Sequence, residues 1–175
     1  EIESIILDNT EKIEYKIGGE VGNATKCKSA LKDYIEHVVA TTDVKFDGLK
    51  IALDCANGSA SACAKEIFTS LGAKCFMLSD TPDGVNINDK CGSTHPEELM
   101  KFVKDAGLDL GLAFDGDADR MLAVDENGEL VDGDKIIAIC SSKMKQEGTL
   151  KKDTAVVTVM SNMGFFKFCE EHDIK

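Results

Sequence analysis

Two short apolar runs enclose an acidic loop in the segment Leu110-Gly-Leu-Ala-Phe-Asp-Gly-Asp-Ala-Asp-Arg-Met-Leu-Ala-Val-Asp125. Residues 110–115 and 120–125 have the length and composition of buried β-strands. The loop between them is too short for a helical crossover, so the two strands are predicted to pair as an antiparallel hairpin.

The loop places Asp115, Asp117 and Asp119 at alternate positions. Three carboxylates this close repel one another unless a counter-charge is present, and a divalent cation supplies one. Hard oxygen ligands in a tight loop favour Mg²⁺ or Ca²⁺ over Zn²⁺. Arg120 follows directly, and its planar guanidinium is suited to a phosphate oxygen. The loop is therefore predicted to bind a divalent cation, with Arg120 as a phosphate contact.

Apolar runs alternate with helical patterns upstream of the hairpin. Residues 50–55 and 74–79 are interpreted as strands, whereas residues 60–71 and 96–106 carry apolar side chains at helical spacing. Nearly continuous apolar strands are typical of a sheet covered on both faces. The pattern predicts an α/β fold, namely a three-layer α/β/α domain with a mixed, mostly parallel sheet. A further amphipathic helix is predicted over residues 27–41, with an apolar face formed by Leu31, Tyr34, Ile35 and Val38.

The end of the chain indicates a second domain. A helix is predicted from about residue 134 to 146, and residues 149–153 form a polar break. A strand over residues 155–160 and a helix beginning near Gly164 then follow. We therefore assign residues 1–150 to one domain and residues 151–175 to the start of a second α/β domain.

Other interpretations of the acidic loop remain open. An EF-hand would place Asp115 at position 1 and Glu126 at position 12, but Arg120 stands where that loop needs Gly, and strands flank the loop. A phosphotransferase of the haloacid-dehalogenase type would use Asp115 as nucleophile, but it would carry Thr or Val in place of Asp119. A solvated acidic turn without a ligand is the third interpretation.

Three further loops are expected at the same edge, because ligands of open α/β sheets bind beyond the carboxyl ends of parallel strands. One of them, residues 160–164, belongs to the second domain. Residues 54–58 are interpreted as a turn and helix cap, and residues 80–96 form a long connection of the kind that is often functional. Ser93 or Thr94 is predicted to cap the helix that opens at His95-Pro96, where free amides also favour an anion. The sequence contains no GxSxG, P-loop or GxGxxG motif.

Composition limits the partners. The formal net charge is -12, which disfavours nucleic acid and anionic lipid, so neither is expected to bind. No apolar run approaches the length of a membrane span, and the first residues lack the features of a signal peptide. Seven scattered cysteines without a CxxC pair favour a reduced, cytoplasmic location.

The segment Phe114-Asp-Gly-Asp-Ala-Asp-Arg120 resembles the metal loop of the α-D-phosphohexomutases. Within that superfamily, four segments are similar to the phosphoglucosamine mutases: Leu53-Asp-Cys-Ala-Asn-Gly58, Pro82-Asp-Gly-Val-Asn-Ile-Asn-Asp-Lys-Cys-Gly-Ser-Thr-His-Pro96, Val131-Asp-Gly-Asp134 and Thr158-Val-Met-Ser-Asn162. The resemblance implies a cytoplasmic isomerase that interconverts glucosamine 6-phosphate and glucosamine 1-phosphate, on the route to UDP-N-acetylglucosamine. It implies a phosphoserine, a 1,6-bisphosphate intermediate, and Mg²⁺ held by Asp115, Asp117 and Asp119, with Arg120 beside the phosphate.

The resemblance also has gaps. The phosphoserine motif, the sugar-recognition loop and the C-terminal phosphate-binding loop of these enzymes have no counterpart in the sequence. The chain is therefore expected to be a central portion of such an enzyme, dependent on further domains and inactive alone. A phosphomannomutase or phosphoglucomutase portion, a stand-alone divalent-metal module and an independent phosphatase are the alternatives, and the oligomeric state is left open.

Overall fold

The computed structural model describes residues 2–8 and 14–175. Residues 1 and 9–13, which belong to the predicted first domain, lie outside the described residues. The chain divides into two compact units, Glu1–Ala30 and Leu31–Lys175. In the first unit, helix α1 spans Ile2–Asp8 and a single 3₁₀ turn spans Gly18–Glu20. Its apolar side chains, such as Ile2 and Leu7, are exposed.

A five-stranded sheet forms the centre of the second unit. Its strands are β1 (Lys50–Asp54), β2 (Lys74–Leu78), β3 (Leu110–Phe114), β4 (Met121–Val124) and β5 (Leu130–Val131), in the order β2-β1-β3-β4-β5. Strand β1 is parallel to both β2 and β3, whereas β4 is antiparallel to both β3 and β5. The predicted hairpin and the mixed character of the sheet are therefore confirmed.

Five helices accompany the sheet in the described part of the chain. They are α2 (Ala30–Val39), α3 (Ala64–Ser70), α4 (Glu97–Ala106), α5 (Gly133–Gln146) and α6 (Met163–Glu171). Helix α4 is followed by Gly107, whose φ of 58° gives a left-handed C-cap. None of the described helices combines the length and the apolar character needed to cross a bilayer.

The strand residues alternate between two cores, which creates the three layers. On one face Ile51 and Leu53 pack with Ala64 at the start of α3. On the other face Ala52 packs with Leu99 and Val103 of α4. Leu99 and Val103 are fully buried, and each contributes roughly 1.5–3 kcal/mol relative to an exposed side chain. The chain moves from β1 outward to β2 and then back across β1 to β3, and the rule that such crossovers are right-handed places α3 and α4 on opposite faces.

Helix α2 packs on α3 rather than on the sheet. Ile35 is buried against Ile67 and Leu71, but Leu31 and Tyr34 are 48% and 54% exposed. The predicted apolar face is therefore only partly buried, and the helix is shorter than the predicted 27–41.

One predicted helix start and one predicted helix cap are wrong. The first turn before α3 is a 3₁₀ helix, Ser59–Ala62, and Cys63 with φ of -134° separates it from α3. At α4 the N-cap is Pro96 and no side chain caps the helix, so Ser93 and Thr94 do not have the predicted role. Residues Gly92–Thr94 instead form their own 3₁₀ turn, and His95 lies between that turn and the helix.

The final segment forms α6 as predicted, but no strand is assigned to residues 155–160. The amide of Ala155 pairs with the carbonyl of Lys175, and among the described residues no ladder continues from there. Val156, Val159 and Met160 are exposed. An extended segment becomes a strand only when another strand pairs with it.

Helix α5 contacts both the core of the sheet and helix α6. Ile136 packs against the core beneath β1 and β3, whereas Ala138 packs with Phe165 and Cys169 of α6. The Lys145 Nζ also donates to the carbonyls of His172 and Asp173, at 2.8 and 2.6 Å. The division after residue 150 stays a prediction.

Candidate metal centre

The acidic loop joins β3 to β4 and brings its aspartates together. Asp115, Asp117 and Asp119 each offer a carboxylate oxygen, and these oxygens lie within 4.8 Å of one another. Asp115 is 2% exposed, whereas the other two are exposed. Ala118 adopts a left-handed conformation with φ of 57°, and its amide donates to the Asp115 carbonyl at 3.1 Å. This turn points three oxygens toward one region, with one ligand anchored in the protein and two open to solvent.

Arg120 closes the loop by pairing with the same aspartates. Its amide donates to Oδ1 of Asp115 at 3.2 Å, and its Nε and Nη2 contact Oδ2 at 2.8 and 2.7 Å. A longer contact of 3.4 Å joins Nε to Asp119. Arg120 is the only arginine of the sequence, and its side chain is 74% exposed. Its predicted contact with a phosphate stays a prediction, because the guanidinium is directed at the carboxylates.

Burial and hydrogen bonds act in opposite directions on the pKa of Asp115. Burial acts to raise the pKa of Asp115, but the amide of Arg120, the contact with Asp119 and the guanidinium together outweigh it. The pKa of Asp115 therefore lies below its ordinary value. The hydrogen bond to Asp115 is the largest cause that raises the pKa of Arg120. Asp115 is thus ionised near neutral pH and available as an anionic ligand.

The loops after β1 and β2 lie against the acidic loop, as expected from the parallel strands. The amide of Ser59 donates to the Gly116 carbonyl at 2.9 Å, and the amide of Asn88 donates to the Ala56 carbonyl at 2.9 Å. The loop after β1 leads to α3 on one face, and the loop after β2 leads to α4 on the other. The space between these loops, beyond the carboxyl ends of the parallel strands, is the kind of crevice in which α/β sheets bind ligands.

Two glycines allow these loops to touch. A Cβ on Gly58 would collide with the Gly116 carbonyl of the acidic loop. A Cβ on Gly92 would collide with the Phe114 carbonyl and with Ala56, and the φ of Gly92 is +71°. Larger residues at either position would force the loops apart.

Asp54 belongs to this cluster, although the sequence interpretation treats residues 54–58 only as a turn and cap. Its carboxylate is 1% exposed. Oδ1 accepts the amide of Ala56 at 3.0 Å, and Oδ2 accepts the amide of Gly92 at 2.8 Å. The signal in the sequence is a charged residue at the end of an otherwise buried strand, where side chains are normally apolar.

The long connection after β2 is internally ordered. Oδ1 of Asp83 accepts the amides of Val85 and Asn86, both at 2.9 Å. The side chain of Asn57 accepts the amide of Thr81 at 3.1 Å and so ties this connection to the loop after β1. His95 is exposed. The connection after β2 therefore forms an ordered side of this crevice.

An apolar cavity of about 460 Å³ opens beside the acidic loop. Its lining includes Leu31 and Tyr34 of α2 and Ile67 and Phe68 of α3. Asp117 of the acidic loop is also part of this lining. Apolar surface of this kind at a polar site is typical of an interaction surface.

The layers and the loop define an α/β/α domain with a candidate site for a hard cation. Residues 32–128 match the family described as phosphoglucomutase/phosphomannomutase, alpha/beta/alpha domain II, and residues 132–175 match alpha/beta/alpha domain III of the same description. The chain belongs to the phosphoglucomutase/phosphomannomutase family.

Named relatives agree with this assignment. The chain is 55% identical over 163 residues to a phosphoglucosamine mutase of Clostridium novyi (strain NT). This match covers 93% of this chain and 36% of the relative. It is 51% identical over 175 residues to a phosphoglucosamine mutase of Clostridium acetobutylicum, covering 100% of this chain and 39% of the relative. The chain thus spans a little over a third of the length of these relatives.

A solved structure has the same fold. The crystal structure of a phosphoglucomutase/phosphomannomutase family protein from Burkholderia thailandensis matches with a TM-score of 0.59 and 28% identity. The match covers 68% of this chain and 26% of that one.

Family membership implies a divalent metal, and the donor set fits one. The carboxylate oxygens of Asp115, Asp117 and Asp119 are hard ligands of the type that bind Mg²⁺, Ca²⁺ or Mn²⁺. The ionised state of Asp115 and the solvent access of the other two aspartates suit an exchangeable cation.

Proposed function

We propose that this chain is the metal-binding central portion of a phosphoglucosamine mutase. Such an enzyme interconverts glucosamine 6-phosphate and glucosamine 1-phosphate in the cytoplasm, with a phosphoserine as phosphoryl donor and a 1,6-bisphosphate intermediate. The convergence of Asp115, Asp117 and Asp119 beside the chain's single arginine carries the proposal. The names and the identity of the clostridial relatives support the choice of amino sugar.

Asp115, Asp117 and Asp119 hold Mg²⁺ in this proposal. The cation, when bound, supplies positive charge that stabilises the phosphoryl oxygens during transfer. Asp115 is the rigid ligand, because it is buried and follows directly after β3. Asp117 and Asp119 complete the set from the solvent side.

Arg120 exchanges partners in the same proposal. Its guanidinium now pairs with Oδ2 of Asp115, a residue that offers a carboxylate oxygen to the proposed cation. When the carboxylates hold a cation, the cation replaces the guanidinium as the counter-charge of Asp115. The exposed side chain of Arg120 is then free to donate to a phosphate oxygen in a forked geometry.

The phosphoryl donor and the sugar contacts come from other parts of a longer protein. The chain covers 36% and 39% of the two clostridial relatives, which leaves room for further domains. The apolar cavity beside Asp117 is suited to be covered by one of those domains, which would also bring the donor to the metal loop. The isolated chain is accordingly inactive, and turnover by the purified 175-residue chain would contradict this point.

Turnover by the longer protein that contains this segment tests the proposal. Glucosamine 6-phosphate should be preferred over mannose 6-phosphate and glucose 6-phosphate. Asp117→Asn should lower kcat/KM by about 100-fold or more, because a bound cation contributes several kcal/mol of charge stabilisation. Asp43→Asn is the matched control, since it removes one exposed carboxylate on the connection between α2 and β1. Full activity in Asp117→Asn would show that the loop does not hold the catalytic metal.

The family description favours a second candidate, a phosphomannomutase or phosphoglucomutase. Preference for mannose 6-phosphate or glucose 6-phosphate in the same assay would select it and leave the metal loop unchanged. A stand-alone metal-binding module would instead bind Mg²⁺ in a protein without mutase activity.

A further inference from the structure

Asp54 is a buried carboxylate that the proposed reaction does not use. It ends β1, the strand between β2 and β3, and its register partners are Leu78 and Ala113. Within the described residues no lysine, arginine or histidine forms an ion pair with it. A buried charge is costly unless hydrogen bonds replace its water, and here two backbone amides do so.

These two amides belong to two different loops. Ala56 lies in the loop after β1, and Gly92 lies 38 positions along the chain from Asp54, in the connection after β2. One carboxylate group therefore joins both loops, with one oxygen for each.

Each loop then touches the acidic loop. Gly92 packs on the carbonyl of Phe114, the residue before Asp115. The loop after β1 reaches Gly116, both through the packing of Gly58 and through the amide of Ser59. Asp54 thus clamps two loops that hold the backbone on either side of Asp115.

We propose that Asp54 is a positioning residue that fixes the metal loop through the loops bearing Ala56 and Gly92. The proposal rests on the cation site of the proposed function. Asp54 does not touch the cation; it sets the position of the backbone that carries Asp115. Groups that orient metal ligands through direct hydrogen bonds affect metal affinity by about 10- to 100-fold, and we expect an effect at the lower end from Asp54, which acts through the two loops.

Asp54→Asn removes this clamp with little change in shape. The amide group keeps one acceptor oxygen but places an NH₂ donor opposite the second backbone amide, so donor faces donor. Either Ala56 or Gly92 loses its hydrogen bond and its loop moves away.

Mn²⁺ binding to the chain, measured by electron paramagnetic resonance of the free ion, is the first test. Asp54→Asn should weaken Mn²⁺ binding about tenfold or more. Asp125→Ala is the matched control, since Asp125 also accepts two backbone amides but follows β4, at the opposite edge of the sheet from Asp54. Unchanged affinity in Asp54→Asn, or an equal loss in both variants, would overturn the proposal. Absence of Mn²⁺ binding by the wild-type chain would count against the proposed metal site itself.

Amide hydrogen exchange tests the positioning without any metal. In Asp54→Asn the amides of Ser59 and Arg120, which do not touch Asp54, should exchange about tenfold faster or more, while Val124 in β4 is unchanged. Acceleration confined to Ala56 and Gly92 would make the role of Asp54 purely local and would overturn the proposal. If Asp54→Asn does not fold, the wild-type amides of Gly92, Ser59 and Arg120 should share one opening transition as denaturant is added, and independent openings would contradict the clamp.

Discussion

Asp115, Asp117 and Asp119 are the same residue type in one loop, but their surroundings give them different roles. Asp115 is buried beside a guanidinium, whereas Asp117 and Asp119 face solvent. An ion pair whose arginine side chain is 74% exposed is worth little as stabilisation, because solvent screens the attraction. The pair does hold an ionised carboxylate at a defined position, which the proposed cation site requires.

At the level of single residues, burial also sets the reactivity of the cysteines. Burial is the main cause that raises the pKa of the Cys55 thiol to about 12, with the negative charges of Asp80 and Asp54 adding to it. Cys140 is exposed. Iodoacetamide at pH 8 should therefore label Cys140 at least about 100-fold faster than Cys55, because only the thiolate reacts. Peptide mass spectrometry measures both, with the denatured chain as control; equal rates in the native chain would contradict the burial of Cys55.

The turn between β4 and β5 shows how one carboxylate organises an element. Oδ1 of Asp125 accepts the amides of Asn127 and Glu129 at 2.9 and 2.8 Å. The amide of Glu129 is the largest cause that lowers the pKa of Asp125. The turn therefore prefers the ionised form of this side chain.

This preference makes the turn sensitive to acid. A carboxyl group whose pKa is lowered on folding stabilises the fold above its unfolded pKa of about 3.9, and the contribution is lost as the pH falls through the lower, folded value. The melting temperature of the wild type should exceed that of Asp125→Asn at pH 7, and the difference should shrink below about pH 4. Glu126→Gln, at an exposed neighbour in the same turn, is the control. A difference that stays constant from pH 7 to pH 3 would show that charge at Asp125 is not involved.

The whole molecule carries a net charge of -12, so any cation stabilises it somewhat by screening. Specific binding at the loop adds a term that depends on the ratio of ligand concentration to Kd. At ten times Kd this term is about 1.4 kcal/mol, which raises the melting temperature of a chain of this size by about 3–6 °C.

Thermal unfolding in Mg²⁺ and in NaCl of equal ionic strength separates the two effects. The wild-type chain and Asp43→Asn should gain the extra increase in Mg²⁺, and Asp117→Asn should lose most of it. If Asp117→Asn gains as much as the wild type, the cation acts through general charge screening and the loop is not its site.

Local pattern was enough to predict four of the five strands of the sheet and the candidate metal ligands. Short apolar runs bounded by polar residues predicted β1 to β4, and the short acidic loop required β3 and β4 to form a hairpin. Asp115, Asp117 and Asp119 converge because they share one tight turn, which is a property of neighbouring residues. Each of these features depends on contacts between residues close in sequence or on the period of a strand.

Long-range packing decided the rest. The clamp at Asp54, the contact of Gly58 with Gly116 and the exposure of Tyr34 depend on residues that are distant in sequence and meet only in the folded chain. Residues 155–160 have the composition of a strand but lack a pairing partner among the described residues. Composition alone therefore predicted a strand that the structure does not form. A single sequence specifies local conformation through side-chain period and turn chemistry, whereas the pairing of distant groups is set by the packing of all the layers together.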